Sequence, residues 1–164
     1  MEDTLTIQQN KMKQRVAIIS LFAAIFIVSI KGLATWLSGS LAVMSELFHS
    51  STDLIACIVT LLSVNYSSLP PDNEHNYGHH KIESLSALIQ VLLLVIMCAY
   101  LIYESISRII TPVPVDINIF TFSAIIICVA VDFTRSRALM RTAKKTGSQA
   151  LEADSLHFSS DILS

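Results

Sequence analysis

Long apolar runs separated by short polar connections make up most of the chain. The runs predict five helices, at about residues 16–37, 41–66, 82–110, 117–140 and 148–164. Each of the first four is long enough to cross a hydrocarbon core of roughly 30 Å, which takes about 20 helical residues. Backbone groups in lipid must be satisfied within the segment, which favours helices. The pattern therefore predicts an all-α, polytopic membrane helix bundle, with residues 16–164 as the transmembrane domain.

The fifth run is shorter than the others. From Gln149 to Ser164 a helix rises about 24 Å at about 1.5 Å per residue, which is less than a full crossing. An odd number of spans that ends inside the bilayer is an improbable finished product. We therefore expect the sequence to be part of a longer protein, with five of an expected six spans present.

The composition agrees with a membrane protein and excludes several other classes. The sequence is 52% hydrophobic and 15% charged, with a mean hydropathy of +0.60 and a net charge of -2. Such a chain is neither disordered nor a disulfide-rich secreted scaffold, and its charge gives no attraction to nucleic acid. Cys57, Cys98 and Cys128 lie in separate apolar runs without a Cys-x-x-Cys spacing. We interpret all three as packing residues.

The basic residues predict the orientation, because Lys and Arg in short loops stay on the cytoplasmic side. Residues 1–15 then form a cytoplasmic N-terminal segment, residues 67–81 form a cytoplasmic loop, and the connection between the fourth and fifth runs is also cytoplasmic. The cations that support this orientation are Lys11, Lys13, Arg15, Lys81, Arg135, Arg137, Arg141, Lys144 and Lys145.

Two of the apolar runs carry the same spacing of ionisable side chains. Both read acid-x-x-His-x-x-x-Asp, with Glu46, His49 and Asp53 in the second run and Asp154, His157 and Asp161 in the fifth. Positions i, i+3 and i+7 share one face of a helix. Each motif therefore places a stripe of three ionisable side chains along one face of its helix. A charged group near the bilayer centre costs about 2.5–3.5 kcal/mol, so each stripe needs a partner, water or a bound cation.

The depth of the stripes predicts how they pair. Asp53 and Asp161 both lie about 18 Å from the cytoplasmic ends of two antiparallel helices, and the histidines bracket them. Two imidazoles and two carboxylates form a tetrahedral shell that suits Zn²⁺. We therefore expect His49, Asp53, His157 and Asp161 to hold one divalent cation. The alternative is that each His and Asp is an i,i+4 pair that only stabilises its own helix.

The leading acids of the two motifs have a less defined role. Glu46 and Asp154 are each candidates for an acceptor that orients the following histidine, or for an acid in the vestibule of the site. Neither is expected to be a direct ligand. Cys57 lies four residues beyond Asp53 and could extend the stripe, although packing is the favoured interpretation.

The polar loop after the second run contains the remaining histidines. Asp72, His75 and His79 lie three and four residues apart, a spacing that can bring one carboxylate and two imidazoles to a single ion. The alternative is a solvated connector with no ligand. The spacing makes these three residues a second candidate metal site.

Taken together, these motifs resemble the cation diffusion facilitator family of zinc-transporting membrane proteins. The resemblance rests on three segments: Ser38-Gly39-Ser40 leading into His49-x-x-x-Asp53, the loop Pro71-Asp72-x-x-His75-x-Tyr77-Gly78-His79-x-Lys81-x-Glu83, and Ala153-Asp154-x-x-His157-x-x-x-Asp161. It runs from about Lys31 to the end of the chain, and the loop and the last motif together are specific. His80 stands where the family usually has a small residue.

The resemblance implies a fold, a function and two sites. His49, Asp53, His157 and Asp161 would be the intramembrane transport site, and Asp72, His75 and His79 a peripheral site at the cytoplasmic surface. The family exports divalent cations from the cytosol in exchange for protons, as a homodimer with a sixth span and a C-terminal cytoplasmic domain. A histidine at position 49 is associated with zinc over Cd²⁺, Fe²⁺, Mn²⁺ or Co²⁺. The expected location is the cell membrane.

Two other functions compete with transport. Glu46-x-x-His49 is one of the elements from which di-iron enzymes are built, but the second motif begins with an aspartate, and Glu83 and Glu104 lie about 32 Å apart along one helix. The third possibility is a truncated product that does not transport and associates with a full-length partner. We favour a transporter that is not an enzyme.

Overall fold

The computed structural model describes residues 2–38, 41–70, 78–111 and 119–162. Within these ranges the chain forms five α-helices and no strand. The helices are α1 (Glu2–Ser38), α2 (Leu41–Ser67), α3 (Lys81–Ile110), α4 (Ile119–Thr146) and α5 (Gln149–Asp161). The structure confirms the all-α helix bundle. It also shows that α1 begins well before the first apolar run, because the polar residues before Val16 continue the same helix.

Small side chains let the helices approach one another closely. α1 packs on α2 and α4, whereas α5 contacts α2, α3 and α4. Ala17 and Ala24 of α1, Cys57 of α2, Leu139 of α4 and Phe158 of α5 are all buried in one core cluster. α5 is therefore held on three sides, which fixes the face that carries His157.

The outer surface of the bundle is apolar. Phe22, Ile96 and Ile102 are among many large hydrophobic side chains that are more than half exposed. Among the residues that the structure describes, three helical segments are long and apolar enough to cross a membrane: Leu5–Leu37, Val43–Ser67 and Lys81–Ile110. An exposed apolar surface of this extent is expected where a protein faces lipid rather than water.

A tight turn joins α4 to α5. Gly147 has a φ of +66°, a left-handed conformation that glycine adopts without strain, and its N–H bonds back to the carbonyl of Ala143. Ser148 then caps α5 by accepting a hydrogen bond from the N–H of Leu151. The turn reverses the chain, so that α5 runs antiparallel to α4 and re-enters the bundle.

The basic residues assigned to the connection between the fourth and fifth runs all lie inside α4: Arg135, Arg137, Arg141, Lys144 and Lys145. Because α4 continues to Thr146, Arg135 lies inside that helix and is only 7% exposed. Its Nε donates to Ser20 of α1, and Nη2 lies 2.6 Å from the sulfur of Cys57 on α2. Arg135 is therefore an internal cation that ties three helices together, and not a marker of the cytoplasmic surface.

Candidate metal centre

Four side chains from two antiparallel helices meet inside the bundle. Nε2 of His157 on α5 lies 3.0 Å from Oδ1 of Asp53 on α2. Nε2 of His49 on α2 lies 3.4 Å from Oδ1 of Asp161 on α5. Between 2% and 15% of each side chain is exposed. We refer to these four residues as the His/Asp cluster.

The shortest contacts in the His/Asp cluster run between the helices. Within α2, His49 Nε2 and Asp53 Oδ2 are 3.9 Å apart, and within α5, His157 Nε2 and Asp161 Oδ2 are 3.8 Å apart. Both distances exceed the two cross-helix contacts. A role limited to i,i+4 helix stabilisation would instead place the closest contacts within each helix.

The spacing of the His/Asp cluster matches a small coordination shell. Zinc binds histidine nitrogen and carboxylate oxygen at about 2.0–2.2 Å, so two ligands at the corners of a tetrahedron lie about 3.3–3.6 Å apart. The cross-helix and same-helix distances span 3.0 to 3.9 Å. One ligand atom each from His49, Asp53 and Asp161 also lies within 4.8 Å of the others. Small side-chain movements are therefore enough to gather these donors around one ion.

The hydrogen bonding around the His/Asp cluster is incomplete. Nδ1 of His49, Nδ1 of His157 and both carboxylate oxygens of Asp154 are buried and have no hydrogen-bond partner. Buried polar groups are usually paired, and each exception calls for an explanation. The two Nε2 atoms, by contrast, point at carboxylates of the facing helix, as they would when facing a shared cation.

Two polar residues of the bundle interior, Asp132 and Gln90, lie outside the two motifs. Asp132 on α4 lies close enough to Asp53 and Asp161 for their charges to repel, and its Oδ1 is 3.4 Å from Arg135. Gln90 on α3 is 1% exposed and donates to the hydroxyl of Thr60. An isolated polar side chain in the middle of an apolar run is the signal that would have found Gln90 and Asp132.

The leading acid of the first motif faces outward. Glu46 is paired with Lys31 of α1 at 3.0 Å, and 64% of its side chain is exposed. Asp154, the matching acid of the second motif, is fully buried. The same sequence spacing thus produces one surface ion pair and one interior carboxylate.

Of the three residues of the candidate loop site, the structure describes only His79. Asp72 and His75 lie outside the described residues. His79 is half-buried and lies two residues before α3, where its carbonyl accepts the N–H of Ile82. The proposal of a metal site at these three residues stays a prediction.

The carboxylates that a di-iron centre would need are engaged away from the His/Asp cluster. Glu83 binds Lys13 at 2.8 Å at one end of α3, and Glu104 binds Arg108 at 2.6 Å near the other end. Glu46 is held by Lys31, as described above. Within the part of the chain that the structure describes, the two motifs therefore have no additional glutamates to complete such a centre.

Apolar helices around buried ionisable side chains define an all-α protein of the membrane. A family model described as the cation efflux transmembrane domain matches residues 17–164. The chain belongs to this family, whose members are cation transporters rather than enzymes.

Curated relatives support the same family assignment. The chain is 35% identical over 157 residues to the cation-efflux pump FieF of Citrobacter koseri, and 36% identical over 157 residues to FieF of Salmonella agona. Each match covers 94% of this chain and 51% of the relative. The chain thus spans about half the length of the curated relatives it matches.

Proposed function

We propose that this chain is the transmembrane, cation-binding part of a transporter that moves divalent metal cations, zinc foremost, out of the cytosol in exchange for protons. The observation that carries the proposal is the His/Asp cluster, in which His49, Asp53, His157 and Asp161 meet across two helices. Membership of the cation efflux family supports cation transport. The cluster supplies a candidate binding site within the bundle.

The donor atoms favour zinc among the divalent cations. Two imidazoles and two carboxylates suit a tetrahedral ion of intermediate softness, whereas Cu(I) prefers sulfur. The sulfur of Cys57 is engaged with Arg135 and with the carbonyl of Asp53. Cd²⁺, Fe²⁺, Mn²⁺ and Co²⁺ are alternative cargo for the same donors, which a competition assay would distinguish.

Exchange for protons follows from the chemistry of the ligands. A histidine must be neutral to bind metal, and free imidazole titrates at about pH 6.5, so protons and metal compete for the same nitrogen. Loading the cation on one side of the membrane expels protons. Protons that arrive from the other side then favour release.

The arrangement of helix ends supports a cytoplasmic N-terminus. Lys13 near the start of α1, Ser67 at the end of α2 and Ser148 before α5 all bind Glu83, so they lie at one end of the bundle. Lys144 and Lys145 close α4 at the same end. Basic residues concentrate on the cytoplasmic side of a multi-pass protein. The cell membrane is the proposed location, and a homodimer the proposed assembly.

Flux measurements on reconstituted protein test this function. The protein, including whatever sequence follows Ser164, is placed in lipid vesicles with an indicator for zinc and a pH difference across the membrane. His157→Ala is expected to abolish zinc flux, and collapse of the pH difference is expected to slow flux through the unaltered protein. Glu152→Gln, an exposed acid on the same helix, is the matched control and should keep normal flux.

Two results would overturn the proposal. Normal zinc flux through His157→Ala would remove the cluster from the transport path. Zinc flux that does not respond to the pH difference would remove the exchange with protons while leaving cation efflux in place.

A further inference from the structure

The ring of His157 has one engaged and one unengaged nitrogen. Nε2 faces Oδ1 of Asp53 at 3.0 Å, in the His/Asp cluster. Nδ1 is buried, has no hydrogen-bond partner, and belongs to a residue that is 2% exposed. If Nε2 binds a cation through its lone pair, the single proton of the neutral ring must sit on Nδ1. The Nδ1–H group of His157 would then be a buried hydrogen-bond donor without an acceptor.

Asp154 is a buried carboxylate that lacks hydrogen-bond donors. It is 0% exposed, and neither of its carboxylate oxygens has a hydrogen-bond partner. The hydroxyl of Thr60 is close by, but its proton is donated to the carbonyl of Ala56, while its oxygen accepts from Gln90. At most, the single proton of the Thr60 hydroxyl is thus shared between the carbonyl of Ala56 and Asp154, so at least one carboxylate oxygen needs another donor.

The Asp154 carboxylate and the His157 ring lie about one turn apart on α5. Positions i and i+3 of a helix are neighbours, and the charge of Asp154 acts on His157 in this structure. We propose that Asp154 is a positioning residue: once Nε2 of His157 binds a cation, Asp154 accepts a hydrogen bond from Nδ1–H, a contact that the two groups do not make in this structure, and so holds the ring with Nε2 directed at the cation. The inference rests on the proposed function, since it concerns how that site is held. Histidines that bind metals commonly donate their other ring N–H to a carboxylate.

Arg135 supplies the charge that such an interior carboxylate requires. It lies within electrostatic reach of Asp154, and its guanidinium stacks on the ring of Phe158 at 3.4 Å from the centroid. Phe158 in turn contacts the ring of His157 edge-on. The arginine is fixed by Ser20 and Cys57, as described above, so a permanent positive charge is available beside the acceptor.

The first motif serves as an internal comparison, because its leading acid, Glu46, is exposed and paired with Lys31. Nδ1 of His49 also has no partner, yet Glu46, three residues earlier, is mostly exposed and bound to Lys31. The sequence spacing is identical, and only Asp154 is buried and unpaired. The proposal therefore assigns the positioning role to one of two acids that look equivalent in the sequence.

The test compares three variants of the protein in lipid nanodiscs, again with any sequence that follows Ser164. Asp154→Ala cannot accept a hydrogen bond and should weaken zinc binding by about 10- to 100-fold. Asp154→Asn keeps an acceptor oxygen and should recover much of that loss. Glu46→Gln should stay within about twofold of the unaltered protein. Zinc affinity is measured by calorimetry, and helix content by circular dichroism.

A spectroscopic measurement separates positioning from a general structural effect. Nitrogen-15 NMR of histidine-labelled protein, with His157 assigned by its replacement, reports which ring nitrogen carries the proton. We expect Nδ1–H in the zinc-loaded protein and a mixture of tautomers in zinc-free Asp154→Ala. Binding of zinc through Nδ1 in the unaltered protein would overturn the proposal even if the alanine variant fails to fold.

The affinities give further outcomes that contradict the proposal. Unchanged affinity in Asp154→Ala would overturn it, as would equal losses in Asp154→Ala and Glu46→Gln. If His157→Ala loses zinc binding while Asp154→Ala does not, the positioning role fails and the proposed function stands. If His157→Ala binds and transports zinc normally, the proposed function itself fails.

Discussion

The buried carboxylate of Glu83 and the His/Asp cluster differ in how completely their hydrogen-bonding groups are paired. At the end of the bundle where α3 begins, both oxygens of Glu83 are hydrogen-bonded, one to Lys13 and Ser67 and the other to Ser148. We call this the Glu83 junction. In the His/Asp cluster, acids and histidines face one another, and ring nitrogens of His49 and His157 are left without partners.

Under the proposed function, the difference separates a group that stabilises the fold from one that binds a cation. A buried carboxylate that is fully paired contributes to stability in every state of the protein. In the His/Asp cluster each carboxylate faces a histidine, but ligand atoms of Asp53 and Asp161 also lie within 4.8 Å of each other and two buried ring nitrogens lack partners. The cluster is therefore expected to be a weak point of the bundle until a cation binds. Replacement of residues in the two places should therefore have opposite signatures.

The largest effect is expected at the Glu83 junction. Glu83→Ala leaves Lys13, of which 12% of the side chain is exposed, without its buried counter-ion. Loss of one partner from a buried ion pair costs about 3–5 kcal/mol, so the free energy of unfolding should fall by that amount. Chemical denaturation in detergent measures it. The double variant Lys13→Met with Glu83→Met should lose much less, and a fall in zinc affinity as large as the fall in stability would contradict the separation.

The next largest effect is expected for ligand loss in the His/Asp cluster. Asp161→Asn replaces a charged donor with a weakly binding amide, and even indirect partners of a ligand change affinity by about 10- to 100-fold. We expect zinc affinity to fall by at least about 100-fold, equivalent to about 2.8 kcal/mol. Calorimetric titration measures the affinity. Stability without zinc should not decrease, and a large decrease would assign Asp161 to the fold instead.

The sequence predicted the framework of both regions but did not indicate the Glu83 junction, and the metal-binding role of the His/Asp cluster stays a prediction. The apolar runs located the helices, and the matched depth of Asp53 and Asp161 anticipated that they approach each other, because helix rise and direction are local properties. The i, i+3, i+7 spacing placed His157 and Asp161 on one face. These features depend on periodicity alone, and the chain displays them directly.

Other features depend on packing and could not be derived from spacing. Arg135 lies in a basic stretch that favours a cytoplasmic position, and only the length of α4 and its contact with α1 and α2 show that it is internal. Glu46 and Asp154 occupy equivalent positions in identical motifs. Their different burial follows from which helix covers them, and this information is distributed over three helices.

Bound zinc should reverse the instability of the cluster. A ligand that binds only the folded state stabilises it by about 2.7 kcal/mol when its free concentration is 100 times the dissociation constant. We expect thermal unfolding of the protein to shift upward with zinc by a corresponding amount. His49→Ala should abolish this shift, whereas Glu83→Ala should start from a lower temperature and keep it. An equal shift in His49→Ala would mean that zinc binds elsewhere.

The smallest effect is expected at Ser148, which belongs to the Glu83 junction and also begins the helix that carries half of the cluster. Ser148→Ala removes the cap of the Leu151 N–H, which costs about 1 kcal/mol, and the hydrogen bond to Glu83, which costs about another 1 kcal/mol. Because α5 is packed on three other helices, the loss should remain local. Hydrogen exchange should accelerate for the amides of residues 149–152 and stay unchanged near Asp161, with zinc affinity within about twofold. If exchange accelerates along the whole helix and zinc affinity falls with it, the two regions are coupled through α5 and are not independent.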